Sequence, residues 1–144
     1  MSTIESPRAG TAVFWGPGKS AGELESVPTV RVLRAEHAAA ILGVTDFRGD
    51  LAITVRADDL LLIAQTLKIH PELQYDVLMD VCGMDDLLMG KSPRFRCVYH
   101  FYSTIKLKRV RLEVPLDEAK PAVDSLTPLY KSANWAEREV WDMF

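Results

Sequence analysis

Several side chains of this protein are able to do chemistry, and their spacing decides whether they can act together. The run Gly16-Pro17-Gly18-Lys19-Ser20 resembles the end of a phosphate-binding loop. Such a loop needs a glycine five positions before Gly18, where Val13 stands. Pro17 also lacks the backbone N–H that would donate to a phosphate. We therefore do not expect a nucleotide site here.

The remaining reactive side chains show no spacing that is typical of an active site. The three histidines, His37, His70 and His100, are far apart and none belongs to a nucleophile motif. Cys82 and Cys97 have neither Cys-x-x-Cys spacing nor a nearby histidine, so we expect them to pack as small apolar residues. Asp85-Asp86 lacks the other oxygen ligands of a calcium loop, which favours a turn. We predict no catalytic residue, no cofactor site and no metal site on this chain.

A cluster of cations lies in a predicted hairpin, where no acid occurs between Lys91 and Glu113. Its members are Arg94, Arg96, Lys106, Lys108, Arg109 and Arg111. Strand alternation places Arg109 and Arg111 opposite their apolar neighbours. This face is either a basic surface for an acidic partner or an ordinary solvated sheet face. Nucleic acid is disfavoured, because the net charge is −3 and no RNA-binding signature appears.

The thirteen residues from Ser132 to Phe144, SANWAEREVWDMF, combine large apolar side chains with charges at helical spacing. Asn134 predicts a helix N-cap with Glu137 three positions later, and Arg138 is four residues from Asp142. Such a short helix is not stable alone, so its apolar side chains must dock on the domain, on a partner, or on both. The predicted partner-interface residues are Trp135, Glu137, Arg138, Glu139, Asp142, Arg109 and Arg111.

The elements that carry these residues belong to one domain of ordinary globular composition, with 144 residues, 48% of them hydrophobic and 26% charged. Residues 1–28, with their prolines and glycines, predict a flexible leader. Residues 29–130 predict an α+β domain, and residues 131–144 a C-terminal helix. No signal sequence and no membrane-spanning run is evident, which favours a cytoplasmic protein.

Periodicity predicts two helices and five strands in that domain. The helices are Ala35 to Leu42, ended by Gly43, and one capped by Asp58 or Asp59 with the stripe Leu60, Ile63, Ala64 and Leu67. The strands are Val44 to Phe47, Leu51 to Val55, Tyr75 to Val81, Phe95 to Tyr102 and Leu107 to Val114. In the third strand Val77, Met79 and Val81 are expected on one face. This order predicts an α+β fold with two layers: a mixed or mostly antiparallel sheet of about five strands, helices on one face, and short C-terminal helices.

The C-terminal segment resembles a family signature, Ser-Ala-Asn-Trp-x-Glu-Arg-Glu-x-x-Asp-Met-Phe. It is similar to that of the 30 kDa subunit family of respiratory complex I, the C subunit of NADH-quinone oxidoreductase. Upstream, Tyr75 to Val81 followed by Asp85, Arg94-Phe95, Val98 to His100 and Val123 to Thr127 also resemble the family's pattern. The resemblance covers about residues 73–144 strongly and 30–70 weakly.

The resemblance implies an assembly subunit of the enzyme's hydrophilic arm, which transfers electrons from NADH to quinone and pumps protons. It implies no cofactor on this chain, with FMN, iron–sulfur clusters and quinone in partner subunits. The implied partners are the D subunit first, then the B and I subunits, at the cytoplasmic side of the bacterial inner membrane, with a peripheral location and no membrane span. Family members continue beyond Phe144, so we expect the chain to end within a truncated docking segment.

Two other interpretations remain open. One is the homologous subunit of a membrane-bound hydrogenase or related dehydrogenase, which shares the signature. The other is a stand-alone binding module that uses the basic face.

Overall fold

The computed structural model describes residues 21–47, 50–85, 94–117, 119 and 122–143, with only the backbone of residues 21, 22, 47 and 141–143. The helices are α1 (Ala21–Ser26), α2 (Pro28–His37), α3 (Leu60–Ile69) and α4 (Ala133–Met143). Single 3-10 turns lie at Ala38–Ala40 and Ala57–Asp59. The strands are β1 (Ile41–Phe47), β2 (Asp50–Val55), β3 (Val77–Asp85), β4 (Phe95–Ser103) and β5 (Lys108–Leu116).

The five strands form one sheet in the order β1-β2-β5-β4-β3. Strands β2 and β5 pair in parallel, and the other neighbours pair antiparallel. The predicted mixed five-stranded sheet with helices is therefore confirmed. The order leaves β1 and β3 as the two edge strands, which present unpaired backbone groups unless another element covers them.

The core lies between the helices and one face of this sheet. On α3 the predicted apolar stripe is fully buried, from Leu60 to Leu67. It packs in one cluster with the inward residues of β4 and β5, among them Phe101 and Leu112, both fully buried. The predicted alternation is confirmed along β5 and from Tyr99 to Ser103 of β4, whereas Val98, predicted among the outward residues of β4, is only 4% exposed. Each aliphatic side chain so buried stabilises the fold by about 1.5–3 kcal/mol.

The N-terminal elements differ from the prediction. The predicted leader over residues 1–28 extends too far, because residues 21–26 form α1 and Leu24 is only 8% exposed. The predicted helix over 35–42 is displaced: α2 begins at Pro28, whose fixed φ suits the first helical position, and ends at His37. Ile41 already belongs to β1. Residues 1–20, including the Gly16–Ser20 run, lie outside the described residues.

The face predicted for β3 is wrong for its first residues. Val77 and Met79 are 37% and 56% exposed, whereas Leu78 is 3% exposed and Val81 is 6% exposed. The register with β4 shifts between Leu78 and Asp80, so that one extra residue interrupts the alternation. Such a bulge moves the following side chains to the opposite face. Because it depends on the pairing with β4, the sequence of β3 alone does not show it.

Candidate partner interface

Helix α4 lies against the edge strand β3. Its inner face is apolar: Ala133 is fully buried, and Ala136 and Val140 pack against the core. Just before the helix, the Ser132 hydroxyl donates a hydrogen bond of 2.8 Å to the carbonyl of Leu78. Helix α4 therefore packs on β3, and the residue just before it satisfies one backbone carbonyl of this edge strand.

The segment that leads into α4 is fixed to the core by a buried tyrosine. The Tyr130 hydroxyl donates to the carbonyl of Tyr75 at 2.6 Å, and its ring centroid lies 5.4 Å from that of Phe101. Burial raises the pKa of Tyr130 above its ordinary value of 10.0. Lys68 on α3 donates to the carbonyl of Leu129 and lies over the Tyr130 ring. These contacts set the position of α4 relative to the sheet.

Glu137 holds α4 to the preceding segment of the same chain. Its carboxylate accepts from the Ser125 hydroxyl at 2.6 Å and from the backbone N–H of Leu126 at 2.8 Å. The predicted capping arrangement is wrong, because α4 begins at Ala133 and Asn134 lies inside the helix. We name this contact of Glu137 with Ser125 and Leu126 the Glu137 clamp. It gives a role within the fold to a carboxylate whose predicted contact with a partner stays a prediction.

The outer face of α4 carries the other predicted residues. Trp135 is 73% exposed, and the guanidinium carbon of Arg138 lies 5.2 Å from its ring centroid, a cation–π contact. Glu139 is also exposed. The side chain of Asp142 lies outside the described residues, so its predicted pairing with Arg138 is untested. We name Trp135, Arg138 and Glu139 the α4 surface.

Two carboxylates pair with three of the six cations on the predicted basic face of the hairpin. Arg94 binds the Asp85 carboxylate with two hydrogen bonds of 2.6 and 2.7 Å. Glu113 pairs with Arg96 and, at 3.2 Å, with Arg111. Arg109 is exposed, but it lies near the start of β5, whereas the residue of β5 that lines a cavity with α4 is Leu116 at its end. The structure therefore does not bring Arg109 and Arg111 together with the α4 surface.

A cleft of about 390 Å³ lies beside these arginines, and sequence reasoning missed it. Arg109, Arg111, Asp80 and Asp50 line it around the half-buried His100. Burial, then the charge of Arg111, lowers the pKa of His100, which Asp80 and Asp50 oppose. Register places His100 opposite Arg111. Alternation along both strands could have indicated this cleft, but Asp80 joins it only through the bulged pairing of β3.

The other histidines and the cysteines have contacts that stabilise the fold. His37 hydrogen-bonds the Thr66 hydroxyl at 2.7 Å, and His70 lies 3.5 Å from a Glu36 carboxylate oxygen. Both cysteines are free, and burial is the largest cause that raises the thiol pKa of each. Cys82 also donates to Asp80 at 3.2 Å. Raised pKa values keep both as thiols, which are poor nucleophiles and poor metal ligands.

A mixed sheet with a C-terminal helix that packs on it and exposes a tryptophan defines a protein whose described surface is suited to association. The family described as "Respiratory-chain NADH dehydrogenase, 30 Kd subunit" matches residues 53–144. The chain belongs to this family, in agreement with its C-terminal signature.

Relatives and solved structures agree with that assignment. The NADH-quinone oxidoreductase C subunit of Roseiflexus sp. (strain RS-1) is 43% identical over 121 residues, which are 84% of this chain and 68% of that protein. The C subunit of Citrifermentans bemidjiense is 40% identical over 112 residues, covering 78% and 67%. A trypsin-resistant fragment of Nqo5 is similar in structure, with a TM-score of 0.67 and 26% identity over 79% of this chain and 89% of the fragment.

The fold also occurs in a second respiratory assembly. A chain of the membrane-bound sulfane sulfur reductase, an archaeal respiratory membrane complex, has a TM-score of 0.64. It is 20% identical, and the match covers 87% of this chain and 68% of that one. This likeness is one of fold. Among the described residues, no helix is long and apolar enough to cross a bilayer.

Proposed function

We propose that this chain is a non-catalytic assembly subunit of the hydrophilic arm of proton-translocating NADH-quinone oxidoreductase. The observation that carries the proposal is the two-sided α4: its inner face is packed on β3 and its outer face exposes Trp135 with Arg138 above its ring. Exposed tryptophan and arginine are the residue types that most often dominate protein–protein binding energy. Family membership supplies the kind of assembly in which such a surface would be buried.

The geometry of the reactive side chains supports the non-catalytic part of the proposal. A nucleophile needs a base within hydrogen-bond reach. In the parts of the chain that the structure describes, the Thr66 hydroxyl beside His37 donates its proton to the Leu62 carbonyl, so His37 does not activate it. The thiol of Cys82 contacts Asp80, and that of Cys97 contacts Tyr99. Asp80 raises the pKa of Cys82 instead of activating it. On this basis we propose that FMN, iron–sulfur clusters and quinone are held by partner subunits.

We propose the D subunit as the first partner of the α4 surface, with the B and I subunits next, at the cytoplasmic side of the bacterial inner membrane and peripheral to it. The partner order and the location follow from the family resemblance. The physical support is that an aromatic anchor flanked by Arg138 and Glu139 suits a recess with charges of both signs at its rim.

Two alternatives are less well supported. The fold likeness to the sulfane sulfur reductase chain fits a homologous subunit in a membrane-bound hydrogenase or related dehydrogenase. Curated relatives at 40–43% identity favour NADH-quinone oxidoreductase. A stand-alone module with a basic face is less well supported, because Asp85 and Glu113 pair with three of the four arginines on that face and family membership points to a larger assembly.

The test is co-purification of tagged full-length chain with the D subunit after Trp135→Ala or Arg138→Glu. Truncating a central tryptophan at an interface weakens binding by about 2 kcal/mol or more, roughly 30-fold in affinity. Trp135 is 73% exposed, so the free energy of unfolding of the chain itself should change by less than about 0.5 kcal/mol.

Leu62→Ala is the matched control, because Leu62 is an apolar side chain on α3 that is 54% exposed. It should leave co-purification unchanged. If Trp135→Ala and Arg138→Glu also leave it unchanged, the α4 surface does not bind the D subunit. NADH oxidation by the purified chain would overturn the non-catalytic proposal.

A further inference from the structure

The turn between β4 and β5 exposes apolar side chains on a constrained backbone. Thr104 to Leu107 form a four-residue turn, which we name the hairpin tip, between the paired residues Ser103 and Lys108. The Leu107 N–H donates to the Ser103 carbonyl at 2.9 Å, and the Lys106 N–H donates to the Ser103 hydroxyl oxygen at 2.9 Å. These bonds close the turn and fix its shape.

Leu107 is an unusual residue for the position that it occupies. Its φ is 54°, in the left-handed region that glycine and asparagine adopt easily and a leucine does not. Its side chain is nevertheless 75% exposed, and that of Ile105 is 60% exposed. Leu107 therefore has a strained backbone conformation although burial of its side chain does not compensate for that strain. Strain of this kind is typical of positions where the side chain is needed for something other than folding.

Contacts with residues outside the turn also hold the hairpin tip in place. The Asp76 carboxylate accepts from the Thr104 N–H at 2.9 Å and from the Thr104 hydroxyl. The Lys108 ammonium lies 5.7 Å from the centroid of the Tyr75 ring. A turn that is anchored in this way loses little conformational entropy on binding, which favours its use as a preorganised contact.

The charges around the hairpin tip indicate the chemistry of what it contacts. Lys106 and Arg109 are exposed beside the two apolar side chains. Of the nearby carboxylates, Glu72 pairs with Arg31, whereas Asp76 binds the uncharged N–H and hydroxyl of Thr104 and keeps its negative charge. The tip therefore presents two aliphatic side chains with an excess of positive charge, Lys106 and Arg109 against Asp76.

We propose that the hairpin tip inserts Ile105 and Leu107 into an apolar recess, rimmed by carboxylates, on another protein subunit of the assembly. A protein partner is favoured over a lipid surface, because two aliphatic side chains on one turn give only marginal membrane binding. The inference rests on the chain being a subunit of a larger complex, but it does not depend on which partner the α4 surface binds.

The experiment is competitive assembly in a cell that makes the complete enzyme. Wild-type chain and variant chain carry different tags, and the ratio of the two tags is measured in the purified enzyme. Leu107→Gly and Leu107→Asn both suit the left-handed backbone and remove the aliphatic group. We expect either one to reduce incorporation about tenfold or more relative to wild type. The Tm of the isolated full chain should be unchanged or raised by up to about 3 °C.

Gln74→Gly is the matched control, because Gln74 is the other non-glycine residue with positive φ in the described part of the chain, at 49°. It offers the same backbone relief on a polar residue and should leave the tag ratio at one. Equal incorporation of wild-type chain and both Leu107 variants would overturn the proposal. A clear fall in Tm for both variants would also overturn it, since Leu107 would then belong to the fold.

Photo-crosslinking from position 105 identifies what lies against the tip. A photoreactive phenylalanine analogue in place of Ile105 should crosslink, within the purified enzyme, to a peptide of a different subunit that contains apolar and acidic residues. Crosslinks to lipid, to a second copy of this chain, or to nothing would overturn the proposal. If the wild-type chain itself is not recovered with the enzyme, both the proposed function and this inference are wrong.

Discussion

The Glu137 clamp makes a quantitative prediction that separates a stabilising contact within the chain from a binding contact. Replacing Glu137 by alanine removes two hydrogen bonds to a carboxylate, at 2.6 Å from the Ser125 hydroxyl and 2.8 Å from the Leu126 N–H. Bonds to charged groups contribute about 1.5–3 kcal/mol each when buried, and less at a half-exposed site such as this one. We therefore expect Glu137→Ala to lower the free energy of unfolding by about 1–2 kcal/mol.

Urea unfolding of the full-length chain measures this change, and a double-mutant cycle assigns it to the clamp. Ser125→Ala removes only the hydroxyl bond, so the coupling free energy between the two substitutions should be about 1 kcal/mol. Ser132→Ala, which removes the bond to Leu78 instead, is the control and should be additive with Glu137→Ala.

One outcome of these unfolding measurements would show that the Glu137 clamp does not stabilise the fold. If Glu137→Ala unfolds within about 0.3 kcal/mol of wild type, and its coupling to Ser125→Ala is zero, the contact contributes nothing to the fold. Glu137 would then be free for the partner interface that the sequence alone predicts. If the stability falls as expected while assembly with the D subunit survives, the carboxylate acts within the chain.

Two further predictions concern the sheet and the buried phenols. Arg109→Glu should change the free energy of unfolding by less than about 0.5 kcal/mol. Arg111→Glu should lower it by about 1 kcal/mol, because this substitution places a second carboxylate next to Glu113. Equal effects of the two substitutions in urea unfolding would contradict this distinction. Burial raises the pKa of Tyr75 and Tyr130 above 10.0, so their contribution to stability is complete below pH 10 and is lost as the pH rises above it. A Tm that stays constant from about pH 9 to 11.5 would disprove that linkage.

The strand and helix patterns of this chain are predictable where a signal is local. The buried stripe of α3 follows from its period alone, and so does the alternation of β5. The fold class is correct for the same reason. The same period fails in β4 at Val98, which is buried although it alternates with the inward residues. The start of α2 could also be predicted from the sequence, because proline is typical of a first helical position and Pro28 stands there. The alanines at 38–40 belong to the predicted helix but form a 3-10 turn, so the predicted helix extends too far along the chain.

The candidate site is less predictable, because its geometry depends on residues distant in sequence. Glu137 is at a spacing typical of a helix cap, but its partners are Ser125 and Leu126 in the segment before the helix. The bulge in β3 arises from pairing with β4, and it decides that Met79 is exposed and Val81 buried. Likewise, nothing local in the sequence around Leu107 predicts a positive φ, which arises from closing the turn.

Helix α4 contributes to the packing of the domain with one face and carries the proposed partner surface on the other. The inner face of α4 packs on β3, the Ser132 hydroxyl bonds the Leu78 carbonyl of that edge strand, and the outer face of α4 carries Trp135. Because one helix does both, a partner that binds the α4 surface would also hold α4 against β3. Binding energy from that surface is thereby added to the stability of the sheet, by the same linkage through which any ligand of the folded state stabilises it.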